Sequence, residues 1–175
     1  IDNTVGKPAE GDIVECFSSD GKYLATGHCM PGSLAVKLFT FKKQEIDKDF
    51  WYSKIKEIWL VRRSIGLINN SETNAFRLVH NEGDSMPGLI VDVYGSLAVL
   101  QAHSTGMHDI RQTLAEAIVG VSEGKITSVY DKSADAIRKM TGRVVGEGFL
   151  VGDSGECEVL EHGHRFHVNA VTGQK

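Results

Sequence analysis

Leu89-Ile-Val-Asp-Val-Tyr94, Gly95-Ser96 and Leu97-Ala-Val-Leu-Gln101 decide the fold class of this chain. Two apolar runs flank a tight glycine-containing turn, which is the pattern of a β-hairpin. Upstream, Ala75-Phe-Arg-Leu-Val79 reads as another strand, and Gly83-Asp-Ser-Met-Pro87-Gly88 as the loop between. Its Pro-Gly pair fits a type II turn with Gly88 at positive φ. Downstream, Ser104 or Thr105 can cap a helix carrying Met107, Ile110, Leu114 and Ala117 or Ile118 on one side. Residues 126–130 resume strand character and residues 134–140 suffice for a modest helix. Residues 157–161 and 165–171 flank a turn at Gly163, giving a second hairpin. Strands, helix and further strands without regular βαβ alternation predict an α+β architecture.

Towards the N-terminus, residues 11–41 read as a small antiparallel β unit punctuated by turns at Ser19-Asp20-Gly21 and Pro31-Gly32. A helix follows, with Asp47 as N-cap, Trp51, Ile55, Ile58, Trp59 and Ile65 at helical spacing, and an end near Gly66. The two tryptophans share their stripe with isoleucines, so they read as core anchors rather than base-stacking platforms. The polar, turn-rich stretch 69–73 marks a domain boundary, dividing residues 1–68 from residues 74–175.

The 175 residues are 41% hydrophobic and 24% charged, the composition of a globular protein rather than a disordered or fibrous one. No run of about eighteen apolar residues occurs, so no transmembrane helix is expected, and the start lacks the pattern of a signal peptide. A cytoplasmic protein with no membrane partner is the expectation. Cys16, Cys29 and Cys157 form no C-x-x-C pair and read as small, buried or half-buried thiols. The first residue is Ile, which suggests a piece of a longer protein.

The net charge of -4 speaks against a chain that coats nucleic acid along its whole surface. Its distribution is uneven. Eight basic residues fall between Lys37 and Arg63 against four acidic ones, which is either a solvated helix face or a phosphate-facing patch. Other motifs reduce to simpler readings. The glycines from Gly146 to Gly152 lack the strand before and helix after that a dinucleotide loop needs, and read as a turn. His162, His164 and His167 are interrupted by the Gly163 turn and read as a hairpin rather than a metal site. Glu82 and Asp84 read as an acidic turn rather than a catalytic pair. The residues alone reveal no self-contained active site.

The segment from Phe76 to Gly95, Phe76-Arg-Leu-Val-His-Asn-Glu-Gly-Asp-Ser-Met-Pro-Gly-Leu-Ile-Val-Asp-Val-Tyr-Gly95, closely resembles a signature of bacterial SAM-dependent large-subunit rRNA cytosine-C5 methyltransferases. Gly11-Asp-Ile-Val14, and Gly27-His28 followed by Gly32-Ser-Leu-Ala-Val-Lys37, resemble that family's PUA-type RNA-binding barrel. Asp47-Lys-Asp-Phe50 resembles the start of its helix, and Gly173-Gln174-Lys175 the entry to its catalytic domain. The resemblance implies a PUA-like β barrel ahead of an α+β central domain, with S-adenosylmethionine as cofactor of the full-length enzyme and structured rRNA as partner. It also implies that the family's first strand segment and its cofactor-binding domain lie outside this chain, so that this portion binds no cofactor and is inactive alone. A missing first strand would leave an exposed or repaired sheet edge that invites a homodimer. Val93 stands where the family often has Arg and inherits no role, and none of the three cysteines matches the family's nucleophile.

The expected phosphate contacts are Lys37, Lys42, Lys43, Lys54, Arg62 and Arg63, with Arg77 near the domain junction. The rival reading is a stand-alone interaction module, or a small acidic-surface enzyme, whose basic stretch is only a solvated helix.

Overall fold

The computed structural model describes residues 3–173. Its central apolar runs pair as the sequence predicts. Strands β5 (Leu89–Tyr94) and β6 (Leu97–Ala102) are antiparallel, in register from Leu89 opposite Ala102 to Tyr94 opposite Leu97. Strand β4 (Ala75–His80) adds to the other side of β5, and a 3-10 turn over Asn81–Asp84 links the two. Leu89 N–H donates to Met86 O at 3.0 Å and Gly88 has φ +89°, so Pro87 and Gly88 occupy the centre of the expected type II turn.

Past β6 the hairpin logic stops. Strand β7 (Ser128–Asp131) runs parallel to β6 and is reached through a helical crossover, and β8 (Gly148–Val151) closes the order β4-β5-β6-β7-β8 as an antiparallel edge. The crossover expected as one helix is two, α2 (Thr105–Asp109) and α3 (Arg111–Val121), broken at Ile110. At the break the Arg111 guanidinium donates to His108 O at 2.8 Å and reaches Asp131 at 3.1 Å, so tertiary pairing sets the bend. The glycine stretch read as a turn contains β8, because Phe149 and Val151 find ladder partners in Tyr130 and Val129 and the Tyr130 and Phe149 rings meet edge-on. Helix α4 (Ala134–Thr141) ends on Gly142 at φ +71°. Strands β9 (Glu156–Glu161) and β10 (His164–Asn169) form the expected second hairpin.

The N-terminal unit is a three-stranded antiparallel sheet, β1 (Ile13–Phe17), β2 (Tyr23–Cys29) and β3 (Val36–Thr40), with β2 in the middle. Among the described residues it is an open sheet rather than a closed barrel, with β1 and β3 as edges. Helix α1 (Lys48–Ser64) then starts where Asp47 accepts Phe50 N–H at 2.9 Å. It ends in a Schellman arrangement, Gly66 N–H to Arg63 O and Leu67 N–H to Arg62 O, with Gly66 at φ +77°. Trp51, Ile55 and Trp59 are buried in one continuous core with Phe39, Leu78, Val91, Leu100, Leu114, Ile118 and Val129. Thus α1 precedes the 69–73 stretch yet belongs to the core of the central sheet. The stretch itself is laced to the β9–β10 hairpin: Gly163 N–H reaches Glu72 O, and Asn74 exchanges bonds with Leu160 through backbone and side chain.

The two sheets meet at His28 on β2, which is 1% exposed and packed against Phe39 and Trp51. A Cβ on Gly106 of α2 would come within 2.4 Å of the His28 ring. Ala normally favours a helix over Gly by about 1 kcal/mol. Here Gly106→Ala should instead destabilise by about 1–3 kcal/mol through overpacking. Gly120→Ala on α3, where only the 40% exposed Tyr52 ring must give way, should be neutral or stabilising, and thermal melts of the two variants check the contrast.

Burial also pushes the His28 pKa down to about 4, against a smaller opposing pull from Asp109. Between that value and the ordinary 6.5 of the unfolded chain, the unfolded state binds the proton more readily. His28 therefore lends stability that is complete above about pH 6.5 and declines as pH falls towards 4, by up to about 3 kcal/mol. Denaturant unfolding from pH 7 to 4.5 should show a shallower acid loss in His28→Phe, which keeps a ring in place without a titrating group.

Candidate nucleic-acid interface

The seven basic residues singled out from the sequence separate into two kinds. The lysines sit around the β3–α1 junction. Lys42 and Lys43 are exposed on the loop that leaves β3. Lys43 Nζ lies 3.8 Å from Glu15 on β1, in a pair whose side chains are 64% and 41% exposed. Lys37 on β3 is half-buried and its Nζ lies 3.5 Å from His103 O at the end of β6. Lys54 is half-buried on α1, where burial pushes its pKa down while Glu57 and Asp84 pull it up.

The arginines brace the fold. Arg62 Nε donates to Arg77 O at 3.0 Å and its Nη2 to Asp84 Oδ2, with both side chains nearly buried. Asp84 also accepts His80 N–H at 2.6 Å, so the acidic turn read from the sequence is one half of an internal ion pair. Arg63 pairs with Glu123 at 2.9 Å. Arg77 reaches both carboxylate oxygens of Asp92 across β4 and β5, at 2.9 and 3.3 Å, and that hydrogen bonding raises its pKa.

A groove of about 660 Å³ runs between the β3–α1 loop, the first turns of α1 and the loop bearing Glu82, Ser85 and Pro87. Phe41, Lys42 and Lys54 line it beside Glu45, Asp47, Asp49, Glu57 and Glu82. Carboxylates outnumber ammonium groups there, so the groove itself disfavours a phosphate. Sequence reasoning passed over two exposed aromatic side chains near Lys42 and Lys43. Phe41 is 74% exposed and Phe17 49% exposed, and the signal was the placement of Phe41 directly before two lysines.

Other candidates resolve as structure. His162 lies in the hairpin turn, His164 opens β10 and His167 lies 3.6 Å from Glu156; no His, Cys, Asp or Glu group among the described residues is arranged to hold a metal. The three cysteines are free and half-buried, and burial raises the pKa of Cys16 and Cys157. Among the described residues no helix is long and apolar enough to cross a membrane.

Residues 1–41 match the family model of a PUA-like domain, the segment that builds the open three-stranded sheet. Over its whole length, the chain is similar to rRNA large-subunit methyltransferases. It is 32% identical to ribosomal RNA large subunit methyltransferase I of Vibrio campbellii over all of this chain and 44% of that protein. With the Shewanella frigidimarina protein of the same name it shares 35% identity, over 97% of this chain and 43% of the relative. The chain thus spans less than half the length of these relatives. Among solved structures, a protein from Streptococcus mutans assigned as a SAM-dependent methyltransferase superposes with a TM-score of 0.73 at 19% identity. That match covers 94% of this chain and 42% of the other, and it shows a common fold.

Removing one partner of a nearly buried ion pair leaves an uncompensated charge, at a cost of about 3–5 kcal/mol. Arg62→Ala and Asp84→Asn should each lower thermal stability accordingly, whereas Lys43→Ala, at an exposed pair, should stay within about 0.5 kcal/mol of wild type. A double-mutant cycle between Arg62 and Asp84 checks the coupling.

Proposed function

We propose that this chain is the RNA-recognising portion of a cytoplasmic, SAM-dependent rRNA cytosine-C5 methyltransferase. On this reading the PUA-like segment, residues 1–41, provides the RNA-binding unit, and α1 with residues 74–175 forms an α+β unit leading into a cofactor-binding domain outside the chain. Together they position structured rRNA for methyl transfer carried out elsewhere in the protein. The observation that carries the reading is similarity along the whole of this chain to part of the large-subunit rRNA methyltransferases, combined with a PUA-like sheet whose outer end displays lysines.

Several features support it. Folded RNA is held mostly through phosphate contacts and shape, which suits an interface of exposed ammonium groups. Lys42 and Lys43 are the principal phosphate contacts, with Lys37 and Lys54 flanking them. Arg63, whose partner Glu123 is exposed, is a further candidate contact, while Arg62 and Arg77 act by bracing. S-adenosylmethionine is the cofactor of the whole protein. Gly146–Gly152 encloses β8 and Gly152 leads on towards β9 rather than into a helix, which supports reading that stretch as something other than a cofactor loop. The open edges of the N-terminal sheet make a homodimer the assembly to look for.

A salt series with structured rRNA fragments tests the reading. Three to four phosphate contacts predict a log-log slope of roughly -2 to -3. The Lys42→Ala, Lys43→Ala double variant should flatten it by about one to two units without loss of fold. A slope unchanged in that variant would clear both lysines, and saturable S-adenosylmethionine binding in calorimetry would overturn the assignment of cofactor binding to another domain.

A further inference from the structure

We propose that the outer end of the N-terminal sheet is a stacking site for an unpaired RNA nucleotide, with Phe41 and Phe17 as platforms and Lys42 and Lys43 as the adjoining phosphate contacts. The proposal rests on the RNA-recognition reading above and names what that surface takes.

Phe41 and Phe17 are both exposed, Phe41 directly before Lys42 and Lys43 in the chain and Phe17 beneath the Lys43 ammonium. Tyr23 connects the hairpin to the loop. Phe17 meets Tyr23 edge-on, with ring centroids 5.9 Å apart at 81°. The Tyr23 hydroxyl donates to Lys42 O at 3.1 Å and lies 2.8 Å from Thr26 Oγ1, which ties the end of the β1–β2 hairpin to the loop carrying Phe41, Lys42 and Lys43. Lys43 Nζ is 5.6 Å from the Phe17 centroid and 5.8 Å from that of Tyr23, so a cation already rests over the faces where a base would stack. Its pairing with Glu15 is long and exposed and contributes little. Lys43 can therefore swing onto a phosphate at small cost and uncover the Phe17 ring.

The acidic groove supplies direction. Glu45, Glu57 and Glu82 line the groove that Phe41 and Lys42 also line, so a nucleic-acid backbone is disfavoured within it and favoured at the exposed Lys42 and Lys43. The base then has only the aromatic faces to meet. Lysines interleaved with exposed rings are the arrangement by which proteins hold single-stranded segments, since every base offers a π-face. A paired base keeps its faces inside the helix and gains nothing at this site, which makes the surface a reader of loops and bulges.

Two RNAs decide the matter: a stem with one bulged 2-aminopurine, and the same stem fully paired. Wild type should prefer the bulged RNA and quench its fluorescence on saturation. Phe41→Ala and Phe17→Ala should each weaken binding of the bulged RNA by about 5- to 150-fold, leaving the paired stem and the salt slope unchanged. Phe41→Tyr should retain the preference. Both rings are exposed, so thermal melts of the variants should match wild type. Equal wild-type affinity for the two RNAs, or alanine variants that bind the bulged RNA as wild type does, would overturn the stacking site. Salt-dependent binding of both RNAs would then leave the RNA-recognition reading intact, whereas wild type binding neither would overturn that reading and the site with it.

Discussion

The seating of the His28 ring on the backbone of Gly106 joins the two halves of the molecule, and the placement of the N-terminal sheet depends on it. The contact excludes any side chain at position 106 and brings Gly11 against the same helix, where Glu10 accepts from the Thr105 hydroxyl at 2.7 Å. Phe39 and Trp51 close over the other side of the ring. The N-terminal sheet is therefore held in one orientation by shape, because an imidazole without charge packs as a flat aromatic body. Since β3 and the loop after it ride on that sheet, the direction in which Lys42 and Lys43 face is set by packing some distance away.

Charge is divided between two duties along the same stretch of chain. Arginine offers a planar fork that can satisfy a carboxylate and a carbonyl together; Arg62 uses it to fasten α1 to β4 and the acidic turn, and Arg77 grips the Asp92 carboxylate to tie β4 to β5. Lysine is a strongly hydrated point charge on a flexible stem, and Lys42 and Lys43 keep theirs in solvent. The net positive charge between Lys37 and Arg63 therefore overstates the surface available to a polyanion.

Much of the fold was legible because local signals agreed with the tertiary answer. The Asp47 cap, the tryptophan stripe, the Gly66 stop, the Pro87-Gly88 turn and both hairpins all arise from short-range chemistry. What escaped depended on distant partners. The bend at Ile110 comes from Arg111 reaching Asp131, and β8 forms among glycines because Tyr130 and Val129 offer a ladder. The parallel pairing of β7 with β6 leaves no mark in either strand alone. At the candidate interface the residue types were legible, but which cations are committed to internal carboxylates was not, because Asp84 and Glu123 lie 22 and 60 positions from the arginines they hold.

The parallel pair also sets an order of events. Strands β4, β5 and β6 can zip through short connections, each contact closing a small loop, whereas β6 and β7 must wait for a crossover of two helices to collapse. Gly106 lies inside that crossover. The N-terminal sheet, although nearer the start of the chain, gains its seat only once the crossover is in place. During synthesis it would emerge early and spend an interval undocked, with Phe39 and the apolar face of α1 still facing water.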